Sequence, residues 1–341
     1  MLRVAILGVG WAGTTQVEAS RELGRKLTVT CLVDSDPNHL QEKADELGIA
    51  KTATDLANAL ADPDIDAVSI CLPHALHCDA AISAAEAGKH ILCEKPMALR
   101  VDEATRMIAS AETAGVSLYV AENRPYSRMA RFLRQLVRSG EHIGEVVAAT
   151  ATSGFRAEPQ YAYPGRRAWL SAPEVGGTGT WMLHGIHSMA QLHYVLGEGE
   201  TVYVREHHAR TFQRTDVEGT MLGLLTMESG VPVTVLQTCE VRLKGQQAGY
   251  VIYGDRGSLQ ASQDGCRVMP HRQEPFWLEY PEAALSNHAQ VLEAFADHVA
   301  GVAAGPTSGR SERRSLSVIQ AGYESARSGQ PVHLRTRFGD L

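Results

Sequence analysis

A glycine pattern behind a short apolar run near the start of the chain constrains the fold more than any other feature. Leu2-Arg3-Val4-Ala5-Ile6-Leu7 has strand composition and leads directly into Gly8-Val9-Gly10-Trp11-Ala12-Gly13, after which helix-forming residues run through Leu23. G-x-G-x-x-G between a strand and a helix is a phosphate-binding turn. Its glycines permit a tight turn and close backbone approach, and the helix N-terminus directs N–H groups at a pyrophosphate. A second strand, Leu27 to Val33, ends at Asp34, at the distance of about twenty residues where a carboxylate accepts hydrogen bonds from a ribose 2′-OH. A bound dinucleotide is therefore expected, contacted by Gly8, Gly10, Trp11, Ala12, Gly13, Asp34 and Ser35. Asp34 repels a 2′-phosphate, so NAD(H) is favoured; Ser35 tolerates one, so NADP(H) is possible. Asp34 has an alternative use as a helix cap, for which Asp36 before Pro37 is better placed.

The alternation of strand and helix continues through the first half. Helices are expected over Pro37 to Leu47, Thr54 to Leu60, Pro73 to Ala87 and Val101 to Ala114. Strands are expected over Ala67 to Leu72, around Ile91 to Cys93 and over Val116 to Val120. This order predicts an α/β N-terminal Rossmann domain, a doubly wound parallel sheet, over residues 1–122. Ligands of such sheets bind at the carboxyl ends of the strands. That places Leu72, Pro73, His74, His77, Glu94, Lys95, Pro96 and Asn123 at the cofactor. Lys95 stands between an acid and a proline at a strand end, a position suited to chemistry, although surface ion pairs also occur at such ends. His74, His77 and Cys78 have spacings a metal can use, but no carboxylate or second cysteine joins them, and no metal is expected.

From residue 123 the pattern changes. A helix from Ser127 to Ser139 precedes an alternating strand, Gly144 to Phe155, and a loop holding Tyr161, Tyr163, Arg166, Arg167 and Trp169. A helix follows from Thr180 to Leu196, then strands over Val202 to Ala209, Val217 to Met227, Val231 to Cys239, Ala248 to Tyr253 and Ser258 to Ala261. The second domain, 123–341, is thus an α+β unit with a large, mostly antiparallel sheet. Met221, Gly223, Leu225 and Met227 share one face of a strand, while Leu222 and Leu224 share the other. Both faces are apolar, so a partner subunit is expected on one of them, as a homodimer or homotetramer. Helices near Ala283 to Ala304 and Glu312 to Ser328 close the chain, joined by a Gly/Ser/Ala linker near Ala303 to Gly309.

Composition narrows the function. The 341 residues carry a net charge of -7, which argues against nucleic acid and anionic membranes as partners. No apolar run is long enough to span a bilayer, and the first strand begins too early for a leader peptide. The six cysteines are scattered, three of them inside apolar strands, as in a reduced, cytoplasmic protein.

These motifs together resemble the glucose–fructose oxidoreductase / inositol 2-dehydrogenase family (Gfo/Idh/MocA). The resemblance rests on Gly8-Val9-Gly10-Trp11-Ala12-Gly13, Val33-Asp34, Pro73 with His77, Ala87-Gly88-Lys89-His90-Ile91, Glu94-Lys95-Pro96, Asn123-Arg124, Gly144-Glu145-Val146, Gly176-Gly177 and Gly185-Ile186-His187. It implies oxidation or reduction of a carbinol carbon of a sugar, cyclitol or related small molecule with NAD(P). It further implies that Lys95 contacts the reacting hydroxyl and the nicotinamide ribose, that His187 acts nearby as acid or base, and that the bond before Pro96 is cis. The chain departs from the family's D-x-G-x-H pattern, reading Leu183-His184-Gly185-Ile186-His187, and Ala190 stands where a second acid is common.

Lys95 and His187 are thus the candidate proton carriers. Desolvation and a cationic nicotinamide lower a lysine's pKa, Glu94 opposes that shift, and a histidine titrates near neutrality without help. Arg124, Tyr126, Tyr163, Arg167, Trp169 and His184 are the candidate substrate contacts. The missing aspartate gives weight to two alternatives: a lyase or glycosidase that retains NAD and oxidises transiently, and a cofactor-binding sensor without turnover.

Overall fold

The computed structural model describes residues 1–156, 168–176, 179–210 and 217–340. The chain forms two compact units, Met1–Asn123 with Ala284–Arg313, and Arg124–Ala283 with Arg314–Leu341.

The first unit is built on β1 (Leu2–Leu7), α1 (Trp11–Ser20), β2 (Leu27–Val33), α2 (Pro37–Leu47), β3 (Thr52–Ala53), α3 (Leu56–Ala61), β4 (Ala67–Ile70), α4 (His77–Glu86), β5 (His90–Cys93), α5 (Val101–Ala114) and β6 (Leu118–Val120). The strands lie in the order β3-β2-β1-β4-β5-β6, and every pair is parallel. Ala5, Ile6, Ala67, Val68, Ile91 and Leu92 are buried, the pattern of strands covered on both faces. The strand order reverses between β1 and β4, which opens a crevice at their carboxyl ends. Asp36 caps α2, accepting from the Asn38 and His39 N–H groups with Pro37 at the first helical position. Asp34 is therefore left for the glycine loop.

The second unit contains α6 (Arg128–Ser139), β7 (Val146–Gly154), α7 (Thr180–Leu183), α8 (Gly185–Leu196), β8 (Gly199–His207), β9 (Thr220–Met227), β10 (Pro232–Thr238), β11 (Gly249–Gly254), β12 (Gly257–Ala261), β13 (Cys266–Pro270) and β14 (Phe276–Leu278). With β15 (Val332–His333), they form a sheet in the order β14-β13-β12-β11-β7-β10-β9-β8-β15. Strands β7 and β10 are parallel; the other neighbours are antiparallel. Met221, Leu225 and Met227 are buried on one face, whereas Leu222 and Leu224 are 49% and 44% exposed on the other. Register puts Tyr203 beside Leu224 and sets Tyr253, across Ala148, on the same open face. The helix expected from Thr180 to Leu196 is divided at His184, whose φ of -115° lies between α7 and α8.

The closing segment holds α9 (Asn287–Val299) and the start of α10 (Gly309–Ser328), and a single domain boundary after residue 122 is amended accordingly. Residues Ala284–Arg313 return to the first unit. Ser286 donates to the Glu22 carboxylate from its backbone N–H (2.9 Å) and its hydroxyl (2.6 Å), and Lys26 pairs with Glu293 and Asp297. The stretch expected as a linker is partly an edge of the first sheet: Thr307 is fully buried, and its carbonyl accepts from the Val120 N–H at 2.9 Å. Its small residues allow that approach, since a Cβ on Gly309 would lie 2.9 Å from the Leu118 side chain.

In the second unit, burial pushes the pKa of His193 down to about 4, with Arg314 acting in the same direction. The native imidazole thus binds its proton at lower pH than the unfolded chain does, at about 6.5. Stability is then full above that value and falls as pH drops towards the native pKa, by up to about 1.4 kcal/mol per pH unit. Protection factors of the α8 amides, which correct for the pH dependence of intrinsic exchange, are expected to fall between pH 6.5 and 5, and His193→Gln to flatten that dependence.

Candidate functional site

Backbone hydrogen bonds align the carboxyl ends of four neighbouring strands. Cys71 donates to Leu7, Glu94 to Ile70 and Ala121 to Cys93, at 2.8, 2.9 and 2.7 Å. The structure thereby brings together the glycine loop, Leu72 to His77, Glu94 to Pro96, and Asn123. Gly8 has a φ of +92°, and a Cβ there would lie 2.6 Å from the Cys71 carbonyl oxygen; one on Gly13 would lie 2.2 Å from that of Gly8. Gly10 differs, because its Cβ direction meets nothing within 4 Å. Helix α1 opens there with no side-chain cap and no acidic residue in its first turn, so its first N–H groups suit an anion. Asp34 is buried, and its two oxygens accept from the Val9 and Asp36 N–H groups, both at 3.1 Å. The bonds fix the orientation of the carboxylate. An open cradle at Gly10, uncapped N–H groups and an oriented acid together fit a dinucleotide.

The turn after β5 is held from beneath. The Ser69 hydroxyl donates to Gln16 Oε1, Gln16 donates to Glu94 Oε1 at 2.8 Å, and the Lys95 N–H donates to Glu94 Oε2 at 3.2 Å. Burial raises the pKa of Glu94, while the Lys95 charge and the Gln16 bond pull it back. The Lys95–Pro96 peptide is cis. Lys89, at the other end of β5, is a structural lysine: its ammonium donates to the Asp62 and Ile65 carbonyls, each at 2.8 Å.

His77, expected to line the cofactor cleft, is fully buried. Its Nδ1 faces the Pro96 carbonyl at 3.0 Å and its Nε2 the Leu72 carbonyl at 2.9 Å, so it ties the loop after β4 to the cis turn. Burial lowers its pKa against the pull of those carbonyls. His74 is also buried and packs edge-on against it, with ring centroids 5.5 Å apart.

Three residues at this end of the sheet escape sequence reasoning. Gln16 is one; its only signal is a polar side chain on the buried face of α1. His39 is another, donating from Nε2 to the Val9 carbonyl at 2.9 Å, since a carbonyl only accepts. The third is His288 of α9, which bonds to Asn123 at 2.9 Å and meets the exposed Trp11 ring edge-on at 6.5 Å. No spacing in the chain links residue 288 to residue 11.

In the second unit His184 and His187 are half-buried, with perpendicular rings 6.2 Å apart. Phe155 lies against the His184 ring, centroid to centroid at 3.9 Å. Leu183 packs with Phe155, Val217 and Cys239, so the position that departs from the family pattern is anchored in an apolar cluster. Arg124 is exposed, Trp169 is half-buried and Tyr126 is buried. Tyr163 and Arg167, with Tyr161 and Arg166, lie outside the described residues.

Residues 2–122 match the family model for the oxidoreductase family with an NAD-binding Rossmann fold, and residues 130–260 match the GFO/IDH/MocA C-terminal domain. The chain is 28% identical over 298 residues to 1,5-anhydro-D-fructose reductase of Ensifer adhaerens, covering 86% of this chain and 87% of that protein. It is 29% identical over 345 residues to D-xylose 1-dehydrogenase (NADP(+)) 2 of Haloferax volcanii, covering 96% and 98%. Among solved structures, aldose-aldose oxidoreductase from Caulobacter crescentus complexed with glycerol superposes with a TM-score of 0.85 at 24% identity, over 97% of this chain and 99% of that one. Levoglucosan dehydrogenase in complex with NADH and levoglucosan gives a TM-score of 0.85 at 20% identity, over 98% and 99%.

His77→Ala removes the one N–H that the neutral imidazole offers to the Leu72 or Pro96 carbonyl, together with the packing of a buried ring, at about 1–3 kcal/mol for the lost hydrogen bond. Urea denaturation is expected to show that loss, and fluorescence titration with NADH a roughly tenfold weaker Kd, as a loosened loop misplaces its neighbours.

Proposed function

The chain belongs to the Gfo/Idh/MocA oxidoreductase family, and from that premise we propose that it moves a hydride between NAD(H) and a carbinol or keto carbon of a sugar, cyclitol or similar polyol. The observation that carries this reading is the Lys95 turn, held by the Ser69–Gln16–Glu94 chain at the strand ends beside the glycine loop. The bound dinucleotide supplies the hydride acceptor or donor. Lys95 takes the hydroxyl proton in the oxidative direction and returns it in the reductive one. His187 is the second proton carrier. Arg124, Tyr126, Tyr163, Arg167, Trp169 and His184 are the substrate contacts, and Arg and Tyr donors suit hydroxyls as an indole suits a sugar face. Sugar-named relatives such as the Ensifer adhaerens and Haloferax volcanii proteins support the substrate class.

Gly8, Gly10, Trp11, Ala12, Gly13, Asp34, Ser35, Leu72, Pro73, Glu94, Pro96 and Asn123 hold the dinucleotide in this reading. NAD(H) is preferred because two acids, Asp34 and the cap Asp36, stand where a 2′-phosphate would lie, although the Haloferax volcanii relative is named for NADP. The open face with Tyr203, Leu222, Leu224 and Tyr253 is the surface for a second copy of the chain. A reducing, cytoplasmic setting suits its five buried thiols. The apolar setting of Leu183 favours a second reading, a lyase or glycosidase that retains NAD; its signature is bond cleavage without net cofactor reduction.

A screen of sugars, cyclitols and hydroxy acids with NAD and NADP, followed by nicotinamide fluorescence, tests the first reading. Lys95→Ala is expected to keep the NADH Kd within about threefold while turnover falls about 10²-fold or more; unchanged turnover would remove Lys95 from the reaction. NADH should bind at least tenfold more tightly than NADPH. Light scattering tests the assembly. The wild type should be a dimer or tetramer and the Leu222→Lys/Leu224→Lys double variant smaller, whereas a monomeric wild type refutes the interface.

A further inference from the structure

The second unit buries an acid that the reaction above leaves without a role. Glu218 is 5% exposed. Its Oε2 accepts from the Gly179 N–H at 3.2 Å, and its Oε1 accepts from the Trp181 N–H and the Tyr323 hydroxyl, both at 2.7 Å. The Tyr323 oxygen in turn accepts from the Met182 N–H at 3.1 Å. One carboxylate and the tyrosine bound to it thus satisfy three N–H groups at the start of α7, where a negative charge is favoured. The approach is possible because residue 179 is glycine; a Cβ there would lie 2.8 Å from the Glu218 carboxyl group.

Everything held this way belongs to the turn that delivers the histidines. Trp181 is locked a second time, donating from Nε1 to the Ile319 carbonyl at 3.0 Å. Leu183 follows in its apolar cluster, then His184 against Phe155, and the His187 N–H bonds back to the His184 carbonyl at 3.1 Å. From this geometry we infer that Glu218 is a positioning residue: its carboxylate fixes the turn Gly179–His184 and, through it, the imidazoles of His184 and His187. The inference rests on the proton-carrying role given to His187 only for its effect on turnover. Burial raises the pKa of Glu218, and the Tyr323, Trp181 and Gly179 bonds oppose that rise. The carboxylate is therefore stable there only while its donors are in place, which makes Tyr323 part of the same device.

The test uses the full chain with ¹³C-labelled histidine, its imidazole signals assigned with His184→Asn and His187→Asn. Glu218→Gln keeps the side-chain shape but removes the charge and one acceptor. It is expected to move both imidazole resonances, because a turn released from its anchor re-seats the rings it carries. His39, in the other unit, should not move. With the substrate identified by the screen above, kcat should fall about 10- to 100-fold, the cost of a misplaced group, with the NADH Kd unchanged. Tyr323→Phe should shift the same signals less, and the double variant should match Glu218→Gln alone. Unmoved His187 signals in Glu218→Gln overturn the inference, even if kcat falls, because the loss then arises elsewhere. Signals that move while turnover stays intact uphold the positioning role and remove His187 from proton transfer. Should Glu218→Gln fail to fold, Tyr323→Phe decides by the same two readouts.

Discussion

The first unit depends on a close approach that only glycine permits. Helix α1 meets β1 so tightly that a Cβ on Gly13 would lie 2.2 Å from the Gly8 carbonyl oxygen and 2.9 Å from Ile6 Cγ2. That contact sets where the helix begins, and hence where its first N–H groups point. Gly8 meets the same constraint from the other side, against the Cys71 carbonyl oxygen at 2.6 Å. With β1 and β4 so closely joined at their carboxyl ends, the Cβ direction of Gly10 is the one among the three loop glycines that meets no protein within 4 Å. The fold's packing requires Gly8 and Gly13, whereas Gly10 is left open on the side where a phosphate cradle is expected.

The two ends of β5 show how the same residue type serves two purposes. Lys89 enters the strand and Lys95 follows it. Lys89 lies almost wholly buried with two carbonyl acceptors, so its charge is committed to closing the α3–β4 connection. Lys95 is half-buried and follows an acid whose oxygens are occupied by Gln16 and by the Lys95 backbone. Glu94 is thus oriented by Gln16 and the Lys95 backbone, and the Lys95 charge draws down the pKa that burial raises. A carboxylate fixed by the fold before any ligand arrives is what preorganisation requires.

The parallel sheet, its strand ends and the dinucleotide loop were legible because their signals are local: a glycine spacing, an acid after a strand, alternating strand and helix patterns. Strand β2 ends at Val33 as read, and Asp36 takes the cap as read, because each is decided within a few residues. What was not legible is non-local. His288 reaches Trp11 only because α9 returns to the first unit, and Thr307 pairs with β6 although its neighbours have the composition of a linker. The break at His184 was invisible to periodicity, since apolar residues continue through it at helical spacing; Glu218 bonds the start of α7 at Gly179 and Trp181, and Phe155 packs against the ring of His184 at the junction. The strands β14 and β15 are short edge elements, at the two ends of the sheet, whose partners, not their composition, make them strands.

The apolar residue at position 183 gains meaning from what surrounds it. Leu183 packs among Phe155, Val217 and Cys239, a setting in which a carboxylate would be costly unless bonded. The acid of this region sits at residue 218 instead, next in sequence to Val217 and supplied with three donors. An acid beside the substrate can anchor a helix and tune a base with one group. In this chain apolar packing around Leu183 and the Glu218 carboxylate hold the turn instead. The apolar position thus tells more about how the turn is held than about whether the chemistry is lost.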